Sequence, residues 1–203
     1  MKIICIGRNY AKHIEELKNE KPENPVVFLK PDTALLKNNE PFYHPSFSND
    51  VHHELELTVK IDKPGKHVEE KFAHKYYSQI GLGIDFTARD LQSEFKEKRL
   101  PWDLAKGFNG AAPISEFREI KKGEDLKNLN LELKINGEQR QIGNTSNMLF
   151  SIDLIISYVS KFIQLKTGDI IFTGTPEGVG PVKSGDRLEG YLESEKLLDF
   201  EVK

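Results

Sequence analysis

Apolar and polar residues alternate along residues 51–61, VHHELELTVKI, as they do in a strand with one face in the core. Every second residue from Val51 is mostly apolar, and these residues share one face of the predicted strand. The opposite face carries Glu54 and Glu56, roughly 6 to 7 Å apart along a strand that rises ~3.3 Å per residue. A half-buried strand normally turns such polar residues to water. On this stretch alone the solvated face is the favoured interpretation, and a ligand site is the second.

The same periodicities predict the remaining elements. Strands are predicted over 2–6, 26–30, 80–88 and 169–173, a strand–turn–strand unit over 129–143 around Asn136-Gly137, and two closing strands within 186–203. Helical spacing of apolar residues predicts helices over 8–20, 89–99 and 147–163. Strands outnumber helices and do not alternate regularly with them, and no linker or repeat divides the chain. We therefore predict one α+β domain over residues 1–203, predominantly β.

Composition excludes several classes of protein. With 203 residues, 37% hydrophobic and 30% charged, the chain is typical of a soluble globular protein with a sizeable core. The net charge is −3 and the basic residues are scattered, so the sequence shows no basic patch of the kind that binds nucleic acid. No apolar run approaches the roughly 20 residues that span a bilayer, and the N-terminal apolar run is too short for a signal peptide. The single cysteine, Cys5, excludes an intramolecular disulfide and fits a reducing compartment, so the cytoplasm is expected.

A third carboxylate changes the view of Glu54 and Glu56. Asp85 lies in the otherwise apolar stretch GLGIDFTA, where an ionised carboxylate needs a charge partner, hydrogen bonds or a metal. Taken singly, a structural role and a ligand role for Asp85 are equally open. Together the three carboxylates offer oxygen ligands on neighbouring strands, which suits Mg²⁺ or Mn²⁺. Zinc is disfavoured because no histidine or cysteine completes a set.

Other polar residues could belong to the same site. His13 and Glu16 are three residues apart on the first predicted helix, either as an exposed pair or as a dyad that polarises a water molecule. Lys106 follows a Pro-Trp break, and such a lysine is either solvated or, beside a metal, holds an oxyanion. The loop TGTPEGVG looks like a phosphate cradle, but it lacks the lysine of a nucleotide-binding loop, so nucleotide binding is rejected.

Seven motifs follow one another in an order that identifies a family. They are GRNYxxHxxE at 7–16, FLKP at 28–31, HHELEL at 52–57, DFTARDLQ at 85–92, LAK at 104–106, NGE at 136–138 and GDIIFTGTPxGVGPV at 168–182. In this order they resemble the fumarylacetoacetate hydrolase family, closest to its small single-domain acylpyruvase and oxaloacetate decarboxylase members. The resemblance runs from about residue 3 to the C-terminus and reverses the preference for a solvated Glu54 and Glu56.

The resemblance implies a mixed β-roll fold, a homodimer and one divalent metal ion, Mg²⁺ or Mn²⁺, held by Glu54, Glu56 and Asp85. It implies that His13 and Glu16 lie on a lid over bound substrate and act in catalysis with Lys106. Positions that contact substrate or shape its pocket are Lys30, Arg89, Gln92 and Thr175. Asn109 departs from the aspartate that many relatives carry there, which puts substrate choice in doubt.

The expected activity is metal-dependent hydrolysis of the C–C bond of acylpyruvate-type 1,3-diketo acids to pyruvate and a carboxylic acid, with oxaloacetate decarboxylation as a second activity. The intact histidine–glutamate pair favours hydrolysis, since a pure isomerase has less need of activated water. The alternative is an isomerase or tautomerase of 2-oxo or 2-hydroxy-dienoate diacids. A catalytically silent metal-binding protein on the same fold is the third interpretation.

Overall fold

A computed structural model describes residues 1–12 and 20–203 of the protein. The largest sheet of the described part has six strands in the order β2-β1-β12-β5-β6-β9. These strands are β1 (Ile3–Gly7), β2 (Val26–Lys30), β5 (Leu55–Ile61), β6 (Tyr77–Ile84), β9 (Arg118–Glu119) and β12 (Ile170–Phe172). Only β1 and β12 pair in parallel within this sheet, and the other pairs are antiparallel. The prediction of a mixed, predominantly β architecture is confirmed.

A second, antiparallel sheet has the order β11-β10-β14-β15. Its strands are β10 (Asn130–Ile135), β11 (Glu138–Asn144), β14 (Arg187–Leu192) and β15 (Glu195–Glu201). The predicted hairpin is β10–β11, and its turn residues Asn136 and Gly137 have φ values of 54° and 81°. Positive φ at both central positions is the requirement of a type I′ turn, which explains the Asn-Gly pair.

Two small sheets join short strands. One has the order β13-β4-β7 and the other pairs β3 with β8. Their strands are β3 (Leu35–Leu36), β4 (Val51–His53), β7 (Thr87–Ala88), β8 (Ala112–Pro113) and β13 (Gly180–Pro181).

The described helices are few and short: α1 (Glu70–Ala73), α2 (Arg89–Glu97), α3 (Asp103–Lys106) and α4 (Ile152–Phe162). In α4 the Ser151 hydroxyl caps the N-terminus by accepting a hydrogen bond from the Leu154 amide, 3.2 Å away. Its buried face carries the predicted apolar residues Ile152, Ile155, Ile156 and Val159. Among the described helices, none is long and apolar enough to cross a membrane.

Two strand breaks set up the site. The strand predicted over 51–61 divides at Glu54, because β4 leaves for a small sheet while β5 stays in the large one. The strand predicted over 80–88 divides at Asp85 in the same way. Leu55 pairs with Ile84, and the Asp85 amide donates a hydrogen bond to the Glu54 carbonyl at 2.8 Å. Glu54 and Asp85 therefore lie side by side where two strands leave the sheet.

Candidate metal centre

Three carboxylates converge in the core. Glu54, Glu56 and Asp85 are 6%, 2% and 1% exposed, and one oxygen of each lies within 4.8 Å of the others. The face that alternation alone assigned to solvent is therefore buried. Because β5 has sheet neighbours on both sides and packs on both faces, its polar residues point to other protein groups.

Basic side chains surround these carboxylates. The Lys106 ammonium donates hydrogen bonds to Glu54 Oε2 at 3.0 Å and to Asp85 Oδ2 at 2.7 Å. Arg89 Nη2 donates to Glu54 Oε1 at 2.5 Å, and the Thr87 hydroxyl donates to the same oxygen at 3.1 Å. Lys106 lies at the end of α3 and Arg89 at the start of α2, so two helix termini carry positive charge to the strand breaks.

Lys30 approaches Asp85 from the other side. Its ammonium lies 2.6 Å from Asp85 Oδ1 and donates hydrogen bonds to the carbonyls of Phe86, at 3.1 Å, and Ala111, at 2.7 Å. These contacts engage its ammonium within the core, where the side chain is fully buried. The contact of Lys30 with substrate that the resemblance implies stays a prediction.

The charges hold two pKa values away from their usual range. Burial raises the pKa of Glu56, and the negative charges of Asp85 and Glu54 raise it further, against a hydrogen bond from the Gly174 amide at 2.6 Å. Burial lowers the pKa of Lys106, but Asp85 and Glu54 outweigh burial and the net pKa is raised. The two carboxylates thus favour the ammonium form of Lys106, which donates hydrogen bonds to both.

The donor set fits a hard divalent cation. All three candidate ligands supply oxygen, which Mg²⁺ and Mn²⁺ prefer. Asp85 Oδ1 is buried and faces the Lys30 ammonium at 2.6 Å, so a cation is already the partner of this oxygen in the core. His53 is not part of the described cluster, and its Nδ1 lies 2.9 Å from Gln141 Oε1. Tetrahedral zinc coordination, which relies on histidine and cysteine, has no matching donors in the described cluster.

The remaining predicted residues are placed as follows. Gln92 is buried on α2 and accepts a hydrogen bond from Arg89 Nη1 at 2.7 Å. Thr175 follows β12 and is buried, and its hydroxyl accepts a hydrogen bond from Gln141 Nε2 at 2.8 Å. Asn109 is exposed. His13 and Glu16 lie outside the described residues, so their dyad and lid remain predictions from the sequence.

The sequence interpretation missed Gln141. It is 1% exposed, whereas its neighbour Ile142 is 58% exposed, which inverts the usual order of a polar and an apolar residue. The hairpin register supplies a signal that could have found it, since Gln141 pairs with the buried Leu133. Counting outwards from the Asn-Gly turn leads to this pairing only if the bulge between Leu133 and Lys134 is known.

The family model of the fumarylacetoacetate (FAA) hydrolase C-terminal domain matches residues 2–201. The chain belongs to the fumarylacetoacetate hydrolase family. The resemblance drawn from the seven motifs is thereby confirmed, and the family is one of enzymes.

Curated relatives within this family match over nearly the whole chain. A mitochondrial oxaloacetate tautomerase of Bos taurus is 48% identical over 98% of this chain and 90% of its own length. An oxaloacetate tautomerase of Escherichia coli is 45% identical, with 97% and 90% covered. A mitochondrial oxaloacetate decarboxylase of Dictyostelium discoideum is 45% identical, with 99% and 93% covered.

Solved structures share the fold of the fumarylacetoacetate hydrolase family. A family protein from Yersinia pestis superposes with a TM-score of 0.96 at 42% identity, covering 100% of this chain and 93% of that one. Fumarylpyruvate hydrolase from Pseudomonas aeruginosa, solved with Mn²⁺ and pyruvate, has a TM-score of 0.94 at 33% identity, with 100% and 89% covered. A 2-hydroxyhepta-2,4-diene-1,7-dioate isomerase from Mycobacterium marinum has a TM-score of 0.87 at 33% identity, with 99% and 73% covered.

Proposed function

We propose that this protein is a tautomerase that uses a divalent metal, Mg²⁺ or Mn²⁺, to interconvert the keto and enol forms of oxaloacetate or a closely related 2-oxo diacid. The observation that carries the proposal is the buried set of Glu54, Glu56 and Asp85 with the Lys106 ammonium bound to two of them. The names of the bovine and Escherichia coli relatives support the choice of oxaloacetate. This proposal ranks tautomerisation first, whereas the sequence alone favoured hydrolysis as the main activity.

The chemistry requires a proton to leave C3 while the electron pair of the C3–H bond forms the C2–C3 double bond and the C2 oxygen gains a proton. Glu54, Glu56 and Asp85 would hold the divalent ion, which supplies a Lewis acid for the carboxylate and the 2-oxo oxygen. Lys106 contributes a fixed positive charge and N–H donors beside the developing negative charge on that oxygen. Burial of the cluster strengthens each of these interactions because water is excluded.

The charge balance favours a diacid. The described cluster contains three carboxylates and three cations, Lys30, Arg89 and Lys106, and the ion pairs join these cations to Glu54 and Asp85. Glu56 would be the third anion once a divalent cation binds and favours its ionised form. A divalent cation and a dianion therefore enter the core together as a neutral pair, with no net charge to bury. An uncompensated charge in such a site carries a large desolvation penalty, so a dicarboxylate is the better match than a monoanion.

Hydrolysis of acylpyruvates is the second candidate function. It is favoured by the Pseudomonas aeruginosa fumarylpyruvate hydrolase, solved with Mn²⁺ and pyruvate, which shares this fold at a TM-score of 0.94. Cleavage between C3 and C4 leaves the electron pair on the pyruvate enolate, so hydrolysis, oxaloacetate decarboxylation and tautomerisation need the same electron sink. Hydrolysis additionally needs an activated water molecule, for which the sequence offers His13 and Glu16.

One experiment separates these activities. Purified protein with Mn²⁺ or Mg²⁺ is given enol-oxaloacetate, keto-oxaloacetate and acetylpyruvate, and ultraviolet absorbance and proton NMR follow ketonisation, pyruvate release and cleavage. We expect ketonisation to be accelerated most, and Glu56→Gln to abolish the acceleration. His13→Ala should lower acetylpyruvate hydrolysis by about 10² to 10⁴ if the dyad activates water. Metal-loaded protein that accelerates cleavage but not ketonisation overturns the tautomerase assignment.

A homodimer is the proposed assembly. The edge strand β2 and its surroundings expose large apolar side chains: Leu29 is 39%, Leu104 73% and Phe162 70% exposed. Leu29 lines one depression with Phe162 and another with Leu104, so the three form one apolar surface suited to a second copy of the chain. Light scattering should give about twice 23.2 kDa, and Phe162→Glu should give the monomer mass.

A cytoplasmic location stays a prediction from the sequence.

A further inference from the structure

One buried side chain from the second sheet contacts the backbone beside the candidate metal ligand Glu54. Gln141 lies on β11, yet its carboxamide is 1% exposed and makes contacts on two sides. Its Oε1 accepts a hydrogen bond from the Leu55 amide at 2.9 Å and lies 2.9 Å from His53 Nδ1. Since Oε1 is an acceptor, His53 Nδ1 carries the proton of that contact. Gln141 thus binds the residues immediately before and after the ligand Glu54.

The other end of the same carboxamide binds the loop that follows β12. Gln141 Nε2 donates hydrogen bonds to the Thr175 hydroxyl at 2.8 Å and to the Pro176 carbonyl at 3.1 Å. The adjacent Gly174 amide donates to Glu56 Oε2 at 2.6 Å. The loop 174–176 is therefore fastened to the metal-ligand strand at two points, one directly and one through Gln141.

The backbone of β11 packs directly against this loop. A Cβ atom on Gly143 would lie 2.5 Å from Pro176 Cβ, and one on Gly178 would lie 2.3 Å from the Arg140 carbonyl oxygen. Gly178 also has a φ of +90°, which side chains other than glycine rarely adopt. Two glycines at this contact allow an approach that no other residue permits, so β11 forms a rigid platform for the loop.

From this arrangement we infer that Gln141 is a positioning residue, which sets the Thr175 loop relative to the metal ligands and thereby fixes the pocket for the 2-oxo acid. The inference rests on the proposed function for the identity of the ligand. It assigns Gln141 no contact with substrate. Its effect on binding passes through Thr175. Losing Gln141 displaces Thr175 and Pro176, whereas Glu54 and Asp85 keep their partners outside the loop, Lys106 and Arg89.

The test uses Mn²⁺ with oxalate, a mimic of the pyruvate enolate, as the probe. Gln141→Met keeps the length of the side chain and removes all four polar contacts. We expect oxalate affinity at saturating Mn²⁺ to fall about tenfold, equal to ~1.4 kcal/mol, with Mn²⁺ affinity alone changed less than about threefold. Gln139→Met is the matched control, because Gln139 is an exposed residue of the same strand that bonds Glu132. It should leave both affinities unchanged.

A double-mutant cycle with Thr175→Val tests whether Gln141 acts through Thr175. If it does, Gln141→Met adds little to the oxalate defect of Thr175→Val, and the two losses are far from additive. Additive losses, or an unchanged oxalate affinity in a folded Gln141→Met protein, overturn the inference. Should Gln141→Met fail to fold, Gln141→Glu keeps the acceptor for Leu55 and loses the N–H donors to the loop, so it should reproduce the oxalate defect.

Hydrogen exchange gives a readout without ligand. Amides of residues 173–175, 177 and 178 should exchange faster in Gln141→Met than in Gln139→Met, and equal exchange overturns the inference. Oxaloacetate turnover is not part of either readout. A wild-type protein that binds Mn²⁺ and oxalate but fails to accelerate ketonisation overturns the proposed function and leaves the role of Gln141 standing.

Discussion

The Lys30 ammonium lies 2.6 Å from Asp85 Oδ1, and both side chains are at most 1% exposed. Lys30 comes from an edge strand and Asp85 from the end of a central one, so the ion pair joins β2 to the metal centre across the sheet. A buried ion pair adds little net stability, but removing one partner leaves an uncompensated charge in the core. Asp85 Oδ1 therefore depends on Lys30 in the metal-free protein, while Lys106 compensates the other oxygen, Oδ2.

Lys30→Met should therefore destabilise the metal-free protein strongly. We expect a loss of about 3 kcal/mol in the free energy of unfolding, the lower end for a broken buried pair, since Asp85 loses the Lys30 ammonium but keeps that of Lys106. Saturating Mg²⁺ should raise the free energy of unfolding of Lys30→Met by more than it raises that of the wild type. The reason is that the ion binds only the folded state and there neutralises Asp85. Thermal unfolding with chelator and with Mg²⁺ measures both effects.

Lys2→Met is the matched control. The Lys2 ammonium lies 2.6 Å from Asp169 Oδ2, and that carboxylate is also buried, but it is not part of the metal cluster. Lys2→Met should lower the free energy of unfolding, and Mg²⁺ should stabilise this variant no more than it stabilises the wild type. Equal recovery in both variants contradicts the link between Lys30 and the metal centre.

Glu56→Gln should separate metal binding from folding. Burial and the neighbouring carboxylates raise the pKa of Glu56, so a neutral amide fits the metal-free core, and its oxygen can still accept the Gly174 hydrogen bond. We expect a stability close to that of the wild type without metal. Mn²⁺ affinity should fall by about 10² or more. Mutating a residue that only hydrogen-bonds to a metal ligand already lowers metal affinity by about 10 to 100-fold.

Calorimetric titration with Mn²⁺ measures this change, and Glu94→Gln is its control because Glu94 is an exposed partner of Lys98. Full Mn²⁺ affinity in Glu56→Gln rules Glu56 out as a ligand. Treatment with chelator should abolish wild-type activity, and added Mn²⁺ should restore it.

The strands that carry the three candidate ligands are predictable from sequence because alternation and apolar runs report local backbone structure. The breaks at Glu54 and Asp85 are not, since the alternating pattern continues through the position where β4 leaves the large sheet. The burial of the polar face follows from the sheet neighbours of β5, which lie far away in the sequence. The family motifs indicated that Glu54 and Glu56 are not solvated, which local periodicity could not indicate.

The partners of the carboxylates are likewise only partly predictable from the sequence. Lys106 could be selected from the sequence because its motif is part of the family resemblance. The contact of Lys30 with Asp85 joins positions 55 residues apart, and the contacts of Gln141 join positions 34 to 88 residues apart. No local pattern reports such pairs. Their identification depends on the packing of two sheets, which the three-dimensional structure provides.

Asp90 should make stability depend on pH. Burial raises its pKa, but hydrogen bonds from the Ser48 hydroxyl and the Asn49 and Leu91 amides outweigh burial and the pKa is lowered. A carboxyl with a lowered folded pKa stabilises the protein above its unfolded pKa, about 3.9, and this contribution disappears as pH falls through the folded value.

Asp90→Ala should therefore cost about 1 kcal/mol at pH 7, a value reduced for the solvent exposure of this residue, and progressively less below about pH 4. Urea unfolding of wild type and variant at the two pH values measures the difference, in which other titrating groups cancel. A difference that stays constant with pH contradicts the assignment to the ionised carboxylate.

Lys96 should distinguish diacids from monoacids. It lies on α2 at the helical spacing of Arg89 and Gln92, the two residues that connect this helix to Glu54. The residue is exposed, but partial burial of its ammonium lowers its pKa first, and the positive charges of Arg89, Arg8 and Lys106 lower it further. Its ammonium lies 5.5 Å from the Trp102 ring, and among the described residues it forms no ion pair.

A positive charge at this place suits the distal carboxylate of oxaloacetate, whereas the distal group of acetylpyruvate is uncharged. Lys96→Gln should therefore raise the KM for oxaloacetate about tenfold, ~1.4 kcal/mol, and change the KM for acetylpyruvate by less than about twofold. Lys98→Gln is the matched control, because Lys98 is an exposed lysine of the same region that pairs with Glu94 at 2.6 Å. Steady-state kinetics of both variants on both substrates measure the change. An equal rise for the two substrates shows that Lys96 does not recognise the second carboxylate, and the preference for diacids then rests on the charge balance of the core alone.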